Sequence, residues 1–305
     1  MAVAPPLLVV DAPSLLYRAF FALPESITDR AGRPVNAVLG AANLMLREVG
    51  EHRPRAVALC FGPDAASYRV ELYSRYHAER PAVPNGLAPQ FADAPAFFAA
   101  FRWSSVIAEE LEADDVMASL ALAEEKARGE ALLLTGDRDL FQCVNERVKV
   151  LYVRTGVRGA ERVDAAEVKR RYGVPPELVP DFIALRGDPS DGIPGARGVG
   201  EKTAAELLRR DGSLEGVLDN AIRESRPGLR REFVEHRDEL LAYKRIATLQ
   251  DAEVIRPPDR PTDWEGAAAA ARERGLNRLA ERLELNAKVP PTRRRLGEAS
   301  GSHAA

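Results

Sequence analysis

Four short runs along the chain are apolar at nearly every position: residues 7–10, 56–61, 131–135 and 148–153. Apolar runs of this length without alternation are how strands read when a parallel sheet is covered on both faces. Between them the pattern changes to the helical period. Val38, Ala41, Ala42, Met45 and Val49 mark a helix over about 38–49, and Leu111, Val116, Leu120 and Ala123 mark the inner face of another over about 109–126. Strands alternating with helices predict an α/β fold, a mostly parallel sheet flanked by helices. From about residue 160 no run of comparable strand character follows. The segments 164–172, 180–185, 201–210 and 231–247 read as helices punctuated by Gly and Pro, and the Ala- and Arg-rich 264–285 adds one or two more. The expected division is an α/β core over 1–160, an all-α region over 161–289 packed on it, and a disordered tail at 290–305. A long irregular stretch, 62–104, interrupts the core and carries Arg69, Arg75, Arg80 and several aromatics. Loops of that length in compact domains are usually functional.

Composition narrows the class without fixing it. At 305 residues, 46% hydrophobic and 29% charged, the chain is an ordinary globular one. No apolar run approaches the roughly 20 residues of a membrane span. The start Met1-Ala2-Val3-Ala4-Pro5-Pro6 has neither a basic segment nor a long apolar one, so the expectation is no secretory signal, no membrane partner and a cytoplasmic location. Cys60 and Cys143 each lie in apolar sequence, which predicts reduced thiols rather than a disulfide or a zinc site. The formal charge of −3 argues at first sight against a polyanionic partner. Eight of the 46 acids fall in clusters, however; with those set aside, 38 remain against 43 basic residues. Cations held by the clusters would make the exterior more positive still.

Those eight acids stand where open α/β sheets build sites, beyond the carboxyl ends of the strands. Asp11 follows the first run directly, and Asp137 and Asp139 follow the third in Gly136-Asp137-Arg138-Asp139. Glu112, Asp114 and Asp115 open the helix that leads into that run, and Asp188 and Asp191 form a pair in Gly187-Asp188-Pro189-Ser190-Asp191-Gly192. Each acid alone reads as a helix cap or a turn residue. Eight together exceed what capping explains. Brought together unneutralised, they would repel by several kcal/mol at an effective dielectric of about 20. Hard divalent cations with all-oxygen ligation, Mg²⁺ or Mn²⁺, resolve the repulsion. Further on, Arg197-Gly198-Val199-Gly200-Glu201-Lys202-Thr203 sets a Gly-Val-Gly turn between two helices. Such a turn offers backbone N–H groups to phosphate, although a glycine at a helix end also has a purely structural use.

In this order the motifs resemble one family, the 5′ nuclease domain at the N-terminus of bacterial DNA polymerase I and its free-standing flap endonuclease relatives. Six blocks across about residues 6–287 carry the likeness. They are Leu8-Val9-Val10-Asp11 with Tyr17-Arg18; Gly32-Arg33-Pro34-Val35-Asn36-Ala37-Val38; Glu112-Ala113-Asp114-Asp115-Val116; Thr135-Gly136-Asp137-Arg138-Asp139-Leu140; the stretch 187–195; and Gly198-Val199-Gly200-Glu201-Lys202-Thr203-Ala204. The resemblance implies a PIN-like nuclease core and a helix-hairpin-helix at Gly198, Val199, Gly200, Lys202 and Thr203 that grips duplex backbone, with Arg197 adding charge and a K⁺ ion at the turn. It implies a helical arch over about 68–103 that passes a single-stranded 5′ end. It also implies two divalent cations: Asp11, Glu112, Asp114 and Asp115 would serve one, and Asp137, Asp139, Asp188 and Asp191 the other. Arg18, Arg69 and Arg80 would steer the phosphate, helped by His77 in the arch. Tyr73 and Tyr76 would be available for base stacking, with packing inside the arch as the alternative role.

The activity so implied is that of a structure-specific 5′-3′ exonuclease or 5′ flap endonuclease, hydrolysing DNA by a two-metal mechanism in replication or repair. The chain would act as a monomer on a 5′ flap or a 5′ end at a duplex junction, with polymerase and ligase as separate chains. Two positions depart from the family pattern. The Asp expected after the second strand is Gly62, with Asp64 the nearest acid, and the arch reads Tyr76-His77 where the family has Tyr-Lys. A histidine is only partly charged at pH 7. These departures predict a weakened metal site that Gly62→Asp would strengthen, and they keep open a second reading, a non-catalytic branched-DNA binding protein. A metal-dependent ribonuclease of the toxin type is a third, disfavoured by the 198–204 turn and the long arch.

Overall fold

Successive residues of the first strand enter two different cores. In β1 (Leu7–Asp11), Leu7 and Val9 pack on one face of the sheet and Leu8 and Val10 on the other. Burial on both sides is why the run is apolar throughout. The computed structural model describes residues 4–154 and 159–288, so the tail expected at 290–305 lies outside the described residues. In chain order β1 is followed by α1 (Ala12–Ala22), α2 (Asn36–His52), β2 (Ala56–Phe61), α3 (Ser67–Leu72), α4 (Ala88–Ala99), β3 (Ser104–Ile107), α5 (Ala113–Lys126), β4 (Ala131–Thr135), β5 (Val148–Val153) and β6 (Ala160–Val163). The sheet order is β3-β2-β1-β4-β5-β6, parallel except for β6, which pairs antiparallel with β5. All four expected strands are present. The two edge strands went unread because each is short and half polar, Ser-Ser-Val-Ile and Ala-Glu-Arg-Val.

The order reverses between β1 and β4, which places the end of β1 and the segment after β4 side by side. On one face lie α5 and the helices α6 (Ala165–Tyr172), α7 (Val179–Arg186), α8 (Glu201–Asp211), α9 (Leu214–Asp219), α10 (Pro227–Glu235) and α11 (Arg237–Ala247). On the other lie α1, α2, α4, α12 (Trp264–Glu273) and α13 (Asn277–Lys288). The helices beyond residue 160 therefore divide between the two faces. A single helix expected over 231–247 is interrupted at His236, whose φ of −112° and ψ of 26° end α10 and start α11. Helix α1 has no counterpart among the helices expected from the sequence; its Pro13 lies in the first turn, where a proline forfeits no hydrogen bond. Between α3 and α4 the chain runs irregularly back over the core, and α4 is anchored there by Phe97 and Phe98, both edge-on to Phe101, with Phe98 also stacked on Trp103. Among the described residues no helix is long and apolar enough to cross a membrane. Cys60 and Cys143 are free thiols.

The strand of chain that returns from α11 to α12 is tied across the sheet edge by one carboxylate. Glu124 accepts from Arg256 Nε at 2.8 Å and Arg55 Nε at 3.0 Å, and Arg55 Nη1 also donates to the Pro257 carbonyl at 2.7 Å. Both the Arg55 and the Glu124 side chains are nearly inaccessible, so removing the acid leaves the Arg55 guanidinium with only the exposed Asp259 carboxylate, at 2.9 Å, and the Pro257 carbonyl. Glu124→Ala is expected to lower stability by about 3 kcal/mol in equilibrium urea unfolding; a loss below about 1 kcal/mol would contradict this role.

Candidate active site

Strand ends and helix starts position the acids, and the same hydrogen bonds that cap them bring them together. Asp11 caps α1, its Oδ1 accepting from Ser14 N–H at 3.0 Å. Its Oδ2 accepts from the Thr135 hydroxyl at 2.7 Å, and the same hydroxyl accepts from Asp137 N–H at 2.9 Å. Asp137 Oδ1 in turn accepts from Asp139 N–H at 2.9 Å. Thr135 thus fastens the end of β1 to the loop after β4. Sequence reasoning passed over it; the signal was a hydroxyl at the last position of an otherwise aliphatic strand.

At the start of α5, Glu112 and Asp115 form a reciprocal capping box. Asp115 is fully buried and fully engaged: both its oxygens accept from Arg69 at 2.8 Å, and it also accepts from the N–H groups of Glu112 at 3.1 Å and Gln250 at 2.8 Å. Glu112 accepts from Ala66 N–H at 2.8 Å and the Tyr76 hydroxyl at 3.0 Å, and lies 3.0 Å from Arg69 Nη1. Asp188 and Asp191 come from a tight hairpin, where Asp188 and Ile193 exchange backbone hydrogen bonds of 2.8 Å. Its two sides touch at Gly187 and Gly195, both at positive φ, and a Cβ on Gly195 would stand 2.3 Å from Gly187 N.

Six of the eight expected acids, Asp11, Glu112, Asp114, Asp137, Asp139 and Asp191, line one cavity of about 650 Å³. Asp188 opens on an adjoining cleft that shares Asp137 with the cavity, and Asp115 stands behind Arg69, which itself lines the cavity. The electrostatics are those of crowded like charges. Burial pushes the Asp114 carboxyl well above its ordinary value, and Asp11, Asp137, Asp139 and Glu112 push it further. Burial also raises Asp139, with Asp137 and Asp191 adding to it. Asp137 is pushed up to about 6 by burial and Asp191, and burial raises Asp11 against the opposing pull of its Thr135 bond. Asp114 Oδ1 is buried without a hydrogen-bond partner. An orphaned carboxylate oxygen among mutually repelling acids is a donor set that fits a hard divalent cation. Among the described residues, the one group that brings three ligand atoms within 4.8 Å of one another is Glu48, Glu51 and His52 on α2, outside this cavity; the cavity acids stand farther apart than that.

The basic residues expected here are present but engaged. Arg69 is buried on Asp115 and on the Ile246 carbonyl at 3.0 Å. Arg80 joins Asp64 at 3.0 Å to Asp191 at 2.9 Å, and His77 spans the Asp64 carbonyl oxygen at 2.6 Å and Asp191 Oδ1 at 3.1 Å. Tyr76 is only 6% exposed and stacked on His77 with ring centroids 3.8 Å apart, and the half-buried Tyr73 packs edge-on against Tyr243. Arg18 donates to the Gly136 carbonyl at 2.7 Å and lines the adjoining cleft. In the turn before α8, Arg197, Gly198, Gly200 and Lys202 are exposed, Thr203 is half-buried and Val199 is buried; the α8 N-terminus has no side-chain cap. The departure at Gly62 has a steric cause. A Cβ there would meet the Leu111 carbonyl oxygen at 2.4 Å and Ala113 N at 2.8 Å, so the expectation that Gly62→Asp simply restores a ligand is corrected.

Residues 6–173 match the family described as 5′-3′ exonuclease, N-terminal resolvase-like domain, and residues 174–263 match 5′-3′ exonuclease, C-terminal SAM fold. The chain belongs to the 5′-3′ exonuclease family. A Mycobacterium tuberculosis relative named 5′-3′ exonuclease is 36% identical, with 93% of this chain and 95% of that one covered. The thermostable DNA polymerase I of Thermus thermophilus is 38% identical over 281 residues, covering 91% of this chain and 32% of the polymerase. The DNA polymerase I of Mycobacterium bovis is 39% identical over 217 residues, 71% of this chain and 24% of that one. The chain thus spans a third or less of the polymerase relatives. Among solved structures, the T5 D15 protein co-crystallised with metal ions aligns at a TM-score of 0.68 with 15% identity, covering 92% of this chain and 98% of that one. The catalytic core of Rad2 in complex with DNA substrate aligns at 0.61 with 15% identity, covering 93% of each. Both likenesses concern the fold, a PIN-like sheet domain with a helical one.

For this 5′-3′ exonuclease family member the raised acids fix a pH dependence. Asp137 ionises near 3.8 in the unfolded chain and near 6 in the folded one, so the folded state holds the extra proton and loses stability as pH rises through that window. In EDTA, Asp137→Asn is therefore expected to match the wild type in stability near pH 4 and to exceed it by roughly 1–2 kcal/mol above pH 6.5, once partial solvent screening is allowed for. Thermal unfolding at several pH values checks this; a difference independent of pH would contradict it. Gly62→Asp is expected to destabilise by about 2 kcal/mol through overpacking, with no gain in cleavage. An unchanged thermal midpoint would overturn the steric account.

Proposed function

We propose that this chain hydrolyses DNA phosphodiesters at 5′ flaps and 5′ ends of duplex junctions, using two divalent cations, Mg²⁺ or Mn²⁺. The observation that carries the reading is the partnerless Asp114 Oδ1 inside a cavity of acids, among which burial and neighbouring carboxylates push Asp114 and Asp137 above their ordinary values. Asp11, Glu112, Asp114, Asp137, Asp139, Asp188 and Asp191 would hold the cations, and Asp115 acts through Arg69, whose orientation it fixes. A divalent cation bound there supplies Lewis acidity toward the phosphate and lowers the pKa of a water molecule. The chain's own groups do the rest. Arg80, shared between Asp64 and Asp191 on the rim, can release either acid to take a phosphate oxygen bidentately. Arg18, beside Ser14 and Gly136, would meet the strand on the other side of the cavity. The exposed Gly198–Gly200 turn and Lys202 would hold the duplex by its backbone without reading sequence. A polymerase and a ligase would act on the nick that remains.

A second reading, a protein that binds branched DNA without cutting it, draws support from the filled space at Gly62 and from His77 and Arg80 lying on Asp191. The two separate cleanly. With 5′-flap DNA the nuclease reading predicts cleavage in Mg²⁺ or Mn²⁺, none in EDTA, and a loss of at least about 100-fold in Asp114→Asn with flap affinity kept within a few fold. Tight flap binding without cleavage in either metal would establish the second reading instead.

A further inference from the structure

The acid cavity opens sideways into a cleft of about 670 Å³ that shares Ser14 and Asp137 with it. The cleft is also lined by Glu201, the first residue of α8, which lies in sequence between Gly200 of the exposed turn and Lys202. The cleft is thus a passage between the two features the proposed function uses, and Arg138 and Arg186 line it. Arg138 is exposed and Arg186 half-buried, and each is tethered through Nε beside an aromatic ring. The Arg138 guanidinium lies 5.8 Å from the centre of the Tyr152 ring and donates through Nε to the Tyr152 hydroxyl at 3.1 Å. Among the described residues it forms no ion pair within 4.0 Å. Arg186 packs over Phe182 at 5.6 Å and donates through Nε to the Gly187 carbonyl at 2.8 Å. Its Nη groups reach Asp188 and Glu201 only at 3.3 Å, beyond the 2.7–2.9 Å usual for charge-assisted bonds. In each case the guanidinium lies beside an aromatic ring and the protein takes the Nε–H. The Nη groups of Arg138 remain for a ligand, and those of Arg186 sit in two long contacts that a better-placed anion displaces.

We infer that Arg138 and Arg186 bind one backbone phosphate of the DNA between the turn and the acids, and so fix how far from the anchored duplex the cut falls. The inference deepens the proposed nuclease function and rests on it. A phosphodiester is the anion the site suits: it accepts two parallel N–H bonds from a planar fork, and its charge is offset by two guanidiniums where Asp137 and Asp188 alone would repel it. Since the contact is with backbone, it positions DNA without selecting sequence. Arg138 and Arg186 are on this account positioning residues.

The test uses the full chain in EDTA, where binding is measured without cleavage. The probe is 5′-flap DNA in which a single neutral methylphosphonate is moved along each strand through the phosphates nearest the junction. At one phosphate the neutral linkage is expected to weaken wild-type binding about tenfold, while weakening the Arg138→Ala/Arg186→Ala variant less than about twofold. Lysines at both positions, which keep the charge but lose the fork, are expected to restore part of the sensitivity. They also repeat the comparison should the alanine pair disturb the fold. In Mg²⁺ the alanine variant should spread its cuts over neighbouring linkages. Equal sensitivity of wild type and variants at every phosphate overturns the subsite and leaves the nuclease reading standing. Wild type that binds flap DNA no better than blunt duplex overturns both.

Discussion

The fold gathers like charges into one place, and most of what is distinctive about the molecule follows from how it manages their repulsion. Acids separated by up to about 180 residues meet because the strand order reverses between β1 and β4, so that everything following those strands converges on one opening. The gathering is enforced from outside the cavity. Thr135 pins Asp11 to the loop after β4, the capping box fixes the start of α5, and the Gly187–Gly195 contact folds the hairpin that presents Asp191. None of these contacts neutralises a charge. Arg69 and Arg80 do so in part, one on the buried side at Asp115 and Glu112 and one on the rim at Asp191. What they leave uncovered is the group centred on Asp114, the acid without a partner.

This division also gives the two departures from the family pattern a physical setting. At Gly62 the chain passes so close to Leu111 and Ala113 that the start of α5 fills the space a side chain would need. Loss of the side chain and the tight approach of Glu112 are two sides of one arrangement. His77 stands at positive φ, stacked on Tyr76 and bonded across Asp64 and Asp191, so the segment between α3 and α4 lies folded on the cavity rim.

Much of this was legible in the residues. The four continuous apolar runs became the four inner strands because burial on both faces leaves a one-dimensional signal. The acids beyond those strands were recognisable because parallel sheets place sites there. Edge strands β3 and β6 were not legible, since half their residues meet solvent and their composition resembles a loop. The different fates of Asp114 and Asp115 could not be read at all. Adjacent in sequence and identical in chemistry, they point to opposite sides of the first turn of α5, one toward the cavity and one toward Arg69. Nor could the crowding at Gly62 be anticipated, because it depends on the distance between β2 and a segment some fifty residues later.

The central claim is that this acid cavity is completed by divalent cations. Anomalous diffraction from crystals soaked in Mn²⁺ tests it most directly. The account predicts anomalous peaks in the cavity bounded by Asp11, Glu112, Asp114, Asp137 and Asp191, and their weakening in crystals of Asp114→Asn. Peaks confined to Glu48, Glu51 and His52 on α2, with the cavity free of manganese at saturating concentration, would contradict it.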